Sequence, residues 1–151
     1  MCIFRSKVQK FTPSPEYLLW LSQQHTFEDV HRFFDDCTYE YDSVQYGKND
    51  YWETPDEFFH SKKGDCDGWH LFLADAIHRA LGFESYMTVG WRWNGLSTIA
   101  HAMTIYKDVI YRLVNYWDII PMAKLKDVNA FKAAGYTHIG GIYRMPDGKK
   151  V

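Results

Sequence analysis

The sequence predicts an α+β fold: N-terminal helices, a central cysteine-bearing helix, and a mainly antiparallel sheet packed on it. Three observations carry that prediction. Helix-start signals recur before Gly82. After Gly82 the hydrophobic period changes from helical to alternating. Short turn signals, Asn94-Gly95 and Lys107-Asp108, then join the alternating segments as they do in hairpins.

Ser14-Pro15-Glu16 supplies a cap and a proline at the first helical position; Tyr17, Leu18 and Leu21 give the following helix a short apolar face. Thr26 and Asp29 have capping-box spacing, and Phe27, Val30 and Phe34 continue at helical intervals. Residues 38–52 are rich in tyrosine and polar groups and read as an irregular loop turning at Gly47-Lys48-Asn49. Thr54-Pro55-Asp56-Glu57 starts a helix of one or two turns, because a capping oxygen and two acids suit the positive end of the helix dipole. Ser61-Lys62-Lys63-Gly64 breaks it. The cysteine helix follows, with Leu73, Ala76, Ile77 and Ala80 as its apolar stripe and Gly82 as its stop. Residues 85–93, 98–106 and 109–116 read as strands, and Pro121 stops the sheet. Residues 128–134 read as a short helix closed by Gly135, and the tail, with Gly140-Gly141 and Pro146-Asp147-Gly148, as a last hairpin.

The 151 residues fit one domain, 1–151, with no repeat or linker. A net charge of −2 gives no electrostatic case for nucleic acid or an anionic membrane. Aromatic residues are 18% of the chain, which suits a core built from large rings, some of them lining a cleft. Cys2, Cys37 and Cys66 are an odd, widely spaced set rather than a disulfide framework. The N-terminal MCIFRSKVQKF lacks the apolar run of a signal peptide, and no segment is long enough to span a membrane. The expectation is a cytoplasmic protein with free thiols.

The chemistry centres on Gly64-Asp65-Cys66-Asp67-Gly68. A cysteine in the first turn of a helix faces unpaired N–H groups and the positive dipole end, which favour the thiolate. Its polar and turn-forming neighbours argue against a plain core cysteine. His101 lies 35 residues on, on the strand face of Ile99, Met103 and Ile105. Alone it would read as a satisfied core histidine; paired with Cys66 it reads as a base. Asn115 shares a side of the next strand with Tyr111 and Leu113 and is the candidate to orient the imidazole, with Asp118 its rival. A zinc site would need Cys66 and His70, four apart on a helix, with His60, His101 or Cys37; without paired Cys-x-x-Cys or a histidine-rich cluster, no metal or other cofactor is expected.

Residues 51–58 (YWETPDEF), then Gly64-Asp65-Cys66-Asp67, Leu81-Gly82 and His101-Ala102, resemble the transglutaminase-like superfamily of papain-type thiol enzymes. The pattern is most similar to that of bacterial transglutaminase-like cysteine proteinases and covers about residues 39–120. The resemblance implies a Cys66, His101, Asn115 triad acting on an amide of a peptide or protein substrate. It also implies an oxyanion hole made by the Cys66 N–H and a donor from upstream, for which Trp52, Tyr46 and Gln45 are candidates. The chain departs from the pattern in three places. Asn115 stands where the family usually has aspartate, Gly68 where it often has another acid, and the export signal of secreted members is missing. Some secreted members bind calcium through acids flanking the cysteine; Asp65 and Asp67 remain here, and two carboxylates need further oxygens to hold that ion. A peptide-binding module on the same fold, without turnover, is the alternative that the lost aspartate and the tyrosine-rich loop suggest.

Overall fold

The computed structural model describes residues 8–47 and 50–151. Its helices begin at the capping residues. Ser14 Oγ accepts from the Tyr17 N–H at 3.2 Å, and Pro15 opens α1 (Pro15–Ser22). Thr26 and Asp29 close a reciprocal capping box on α2 (Phe27–Arg32), which runs into a 3-10 turn at Phe33–Asp36.

Residues 38–52, expected as an irregular loop, hold two short elements, β1 (Thr38–Tyr39) and α3 (Asp42–Gln45). β1 pairs in parallel with β2 (Lys63–Gly64), just ahead of the cysteine helix. That pairing takes up the Thr38 and Glu40 N–H groups, which donate to the Lys62 and Gly64 carbonyls at 2.9 Å. Of the expected Gly47-Lys48-Asn49 turn, Gly47 takes φ +66°, while Lys48 and Asn49 lie outside the described residues. α4 (Pro55–Ser61) carries the capping box of Thr54 and Glu57 and stops at Lys62 in the left-handed region, φ 54°.

α5 (Cys66–Leu81) is capped by Asp65 and ended by Gly82 at φ +76°. Every residue from Cys66 to Ile77 is buried, so the expected stripe is wider than one face. The reason is that α5 is covered on two sides. Tyr17, Phe33, Phe34 and Phe58 pack around its Phe72 from the helical side. The sheet covers the other side through Met87, Val89 and Ala102. Tyr17 also donates its buried hydroxyl to Asp75 Oδ2 at 2.8 Å, and Arg79 Nε pairs with the same carboxylate at 2.9 Å.

The sheet holds β3 (Ser85–Trp93), β4 (Thr98–Tyr106), β5 (Val109–Leu113), β6 (Trp117–Pro121), β7 (His138–Arg144) and β8 (Lys149–Lys150), with α6 (Val128–Ala133) between β6 and β7. The order is β6-β5-β4-β3-β7-β8, and every neighbouring pair is antiparallel. Lys107 and Asp108 make the tight β4–β5 turn at φ 49° and 61°. The third expected strand, 109–116, ends early at Leu113; residues 114–116 form an exposed bend, and the chain returns as β6. α6 packs on the far face of the sheet, where Phe131 meets Met103, Ile105, Ile110 and Ile142. Among the described residues no helix is long and apolar enough to cross a membrane.

Candidate active site

Cys66 is the first residue of α5, and its sulfur accepts from the Ala102 N–H of β4 at 3.4 Å. It is 2% exposed and disulfide-bonded, where the sequence suggested a free thiol. Cys37 is the free cysteine among the described residues; Cys2 lies outside them. Cys37 donates to the Phe33 carbonyl, and burial pushes its thiol up to about 12, which disfavours its thiolate.

His101 immediately precedes Ala102. Its ring stacks on Tyr136 at 6.3 Å, on the α6 side, and lies 6.1 Å from the ring of His70 on α5. It therefore sits at the seam between the two layers. The β4–β5 pairing stops short of it, at Thr104 and Tyr111. His101 Nε2 is hydrogen-bonded to the Leu113 carbonyl. Burial pulls its pKa down to about 4, against the Leu113 bond, which raises it. The ring is thus neutral near pH 7 while Cys66, as a disulfide, carries no charge.

Asn115 is not placed as the strand reading expected. It is exposed in the bend after β5, and the Leu113 carbonyl takes the ring nitrogen assigned to it. Asp118 is committed to Arg112 Nη2 at 2.5 Å. Two of the histidines weighed for zinc are engaged otherwise. Both ring nitrogens of His70 are hydrogen-bonded, to Thr104 and Leu113, and His60 sits beside Ser14 and Asp56.

Of the three upstream candidates, Gln45 donates to the Lys63 carbonyl at 3.0 Å, and the Tyr46 hydroxyl donates to Glu53 Oε2. Trp52 packs in the same apolar cluster as Cys66, and its buried Nε1 has no acceptor among the described residues.

A group of acids surrounds the start of α5, and only Asp65 and Asp67 were legible as neighbours of Cys66. Asp42, Glu53, Asp65 and Asp67 are each at most 1% exposed. Asp42 Oδ2 accepts from the Tyr51 N–H at 2.7 Å, and Asp65 Oδ1 from the Asp67 N–H at 3.3 Å. Asp42 Oδ1, Glu53 Oε1, Asp65 Oδ2 and both Asp67 oxygens have no N–H or hydroxyl donor among the described residues. Oxygens of Asp42, Asp50 and Asp67 lie within 4.8 Å of one another, a donor set that suits a hard cation such as calcium. Glu53 also explains Gly68. A Cβ built at Gly64 or at Gly68 would lie 2.1 Å from Glu53 Oε1. Glu53 fills the space that a side chain at position 68 would take.

Burial is the largest cause in raising Asp42 to about 7 and Glu53 to about 8, and it pushes Asp65 and Asp67 upward too. Between the unfolded carboxyl range near 4 and these raised values, the folded protein holds more protons than the unfolded chain. Stability therefore falls as pH rises from about 5 to about 8. His101 and His70, both lowered by burial, act oppositely: below about pH 6.5 the unfolded chain takes up the proton. Four raised acids outweigh two lowered histidines, so scanning calorimetry should give a Tm that declines from about pH 5 to about 8, and Glu53→Gln should reduce the decline. A flat profile from pH 5 to 8 would contradict the protonated cluster.

The family described as the transglutaminase-like superfamily matches residues 20–116. No curated protein matches the chain. A solved structure titled "Crystal structure of a TGase" is similar at 20% sequence identity and a TM-score of 0.37, over 74% of this chain. This chain covers 30% of the length of that one. The matched segment runs from α1 through the helix of Cys66 and the strand of His101 to the bend after β5, and on it the chain belongs to the transglutaminase-like superfamily.

Proposed function

We propose that the reduced protein is a thiol enzyme that cleaves or transfers an amide of a peptide or protein through an acyl-enzyme. One observation carries this reading: the Cys66 sulfur, at the N-terminus of α5, touches β4 at the residue next to His101. The helix terminus favours a thiolate. Ionised acids on either side would oppose it, but burial holds Asp65 and Asp67 toward their neutral forms. The thiolate attacks the carbonyl carbon, with the thiol proton passing to His101. The carbon–nitrogen bond then breaks, and His101 returns that proton to the departing amine. Water or a second amine releases the acyl group; hydrolysis is favoured, since nothing marks an amine site. The Cys66 N–H and the unpaired Trp52 Nε1–H are the donors for the oxyanion.

Alkylation kinetics test this on the fully reduced protein, with Cys66 labelling located by mass spectrometry. Near pH 6, Cys66 should react at least about tenfold faster than an ordinary thiol of pKa about 8.5, and His101→Ala should remove the advantage. An ordinary thiol profile that His101→Ala leaves unchanged would remove the enzyme reading and leave a peptide-binding module.

A further inference from the structure

Where β5 parts from β4, both main-chain groups of Leu113 are taken by histidines. The Leu113 N–H donates to His70 Nε2 at 3.3 Å, and its carbonyl accepts from His101 Nε2. These bonds fix both tautomers. An amide N–H can only donate, so His70 Nε2 carries the lone pair and Nδ1 the proton. That proton points to Thr104 Oγ1 at 3.0 Å, and the Thr104 hydroxyl donates in turn to the His70 carbonyl at 3.1 Å. A carbonyl can only accept, so His101 carries its proton on Nε2 and its lone pair on Nδ1. His70 is fully buried and lies four residues after Cys66 on α5.

We propose that the Leu113 carbonyl, held in place through the Leu113 N–H by His70 and Thr104, is the group that orients His101, and that His70 is a positioning residue for the thiol chemistry. This rests on the acyl-transfer reading above. The geometry gives the main chain the task that a carboxylate or amide side chain performs in a triad. The carbonyl stabilises an imidazolium through its dipole, and the bond from the N–H of the same residue to His70 fixes the direction in which that carbonyl points. The histidine at the far side cannot compete for the proton. It is buried, a protonated His101 beside it would repel a second charge, and both hold its pKa far below the usual range. The exposed Asn115 has no part in this arrangement.

The test uses the full chain, reduced, with iodoacetamide as probe and Cys66 labelling read by mass spectrometry from pH 5 to 9. His70→Leu should lower the rate at pH 6–7 by about tenfold and move the profile toward an ordinary thiol. His70→Gln, whose Oε1 can take the Leu113 N–H, should restore the rate to within about threefold of wild type. Asn115→Ala should keep the wild-type profile. A folded His70→Leu variant with the wild-type profile would overturn the proposal, as would Asn115→Ala reproducing the His101→Ala profile. Should His70→Leu fail to fold, long-range 15N NMR of the wild type decides. Protons on His70 Nδ1 and His101 Nε2 support the proposal, and a proton on His101 Nδ1 instead overturns it. Loss of the thiol reading itself would show differently: His101→Ala would leave the profile unchanged while the tautomers stayed as assigned.

Discussion

In reduced Cys66→Ala protein, amide turnover is expected to fall by at least about 10³-fold, because the covalent route has no second nucleophile. Two product assays cover both acyl acceptors: new N-termini from peptide hydrolysis, and incorporation of a fluorescent primary amine into a glutamine-bearing protein. His101→Ala should lose on the order of 10²-fold or more, the usual scale for a general acid–base group. The double variant should be little worse than Cys66→Ala alone, since residues acting as a unit do not add. Turnover should also require reductant, because Cys66 is disulfide-bonded in this structure. A Cys66→Ala protein that keeps a tenth of the activity would refute the mechanism.

Phe72→Ala is expected to cost about 3–5 kcal/mol, the range for deleting a buried phenyl ring. Phe72 is fully buried, with ring centroids of Phe33 at 4.6 Å, Phe58 at 5.2 Å and Trp20 at 5.5 Å. No small shift of α5 alone can fill the space, because α1, the Phe33–Asp36 turn and α4 each supply a wall. At about 2–4 °C per kcal/mol for a chain of this size, Tm should drop by roughly 6–20 °C by scanning calorimetry. The same rings set the position of α5, whose first residue is Cys66. A loss below about 1 kcal/mol would mean that this cluster is not the core.

Capping chemistry and period were readable from the sequence because they are local. Ser14, Thr26 and Thr54 cap where expected, and β3 and β4 keep the limits given by their alternation. The end of β5 was not readable, because alternation continues through the bend at residues 114–116. That misplacement gave Asn115 to His101. The acceptor on His101 is a main-chain carbonyl, and main-chain groups leave no mark in a sequence. His70 did leave one: it is four residues after Cys66, on the same helix, and was read only as a metal ligand. The acids Asp42 and Glu53 lie far along the chain from Asp67, and parallel pairing of β1 with β2 brings their segment to α5. The insertion of β7 beside β3 is likewise a long-range pairing with no local signal.

Glu53 gives the glycines of the cysteine motif a second meaning. Gly64 and Gly68 flank Cys66 at equal distance in the sequence, and the side chain of Glu53 lies against both. The motif is therefore partly a mould of a residue well upstream of it. The three positions are sterically one unit: a side chain added at 64 or 68 would have to displace the Glu53 carboxyl, and shortening residue 53 would free space at both glycines.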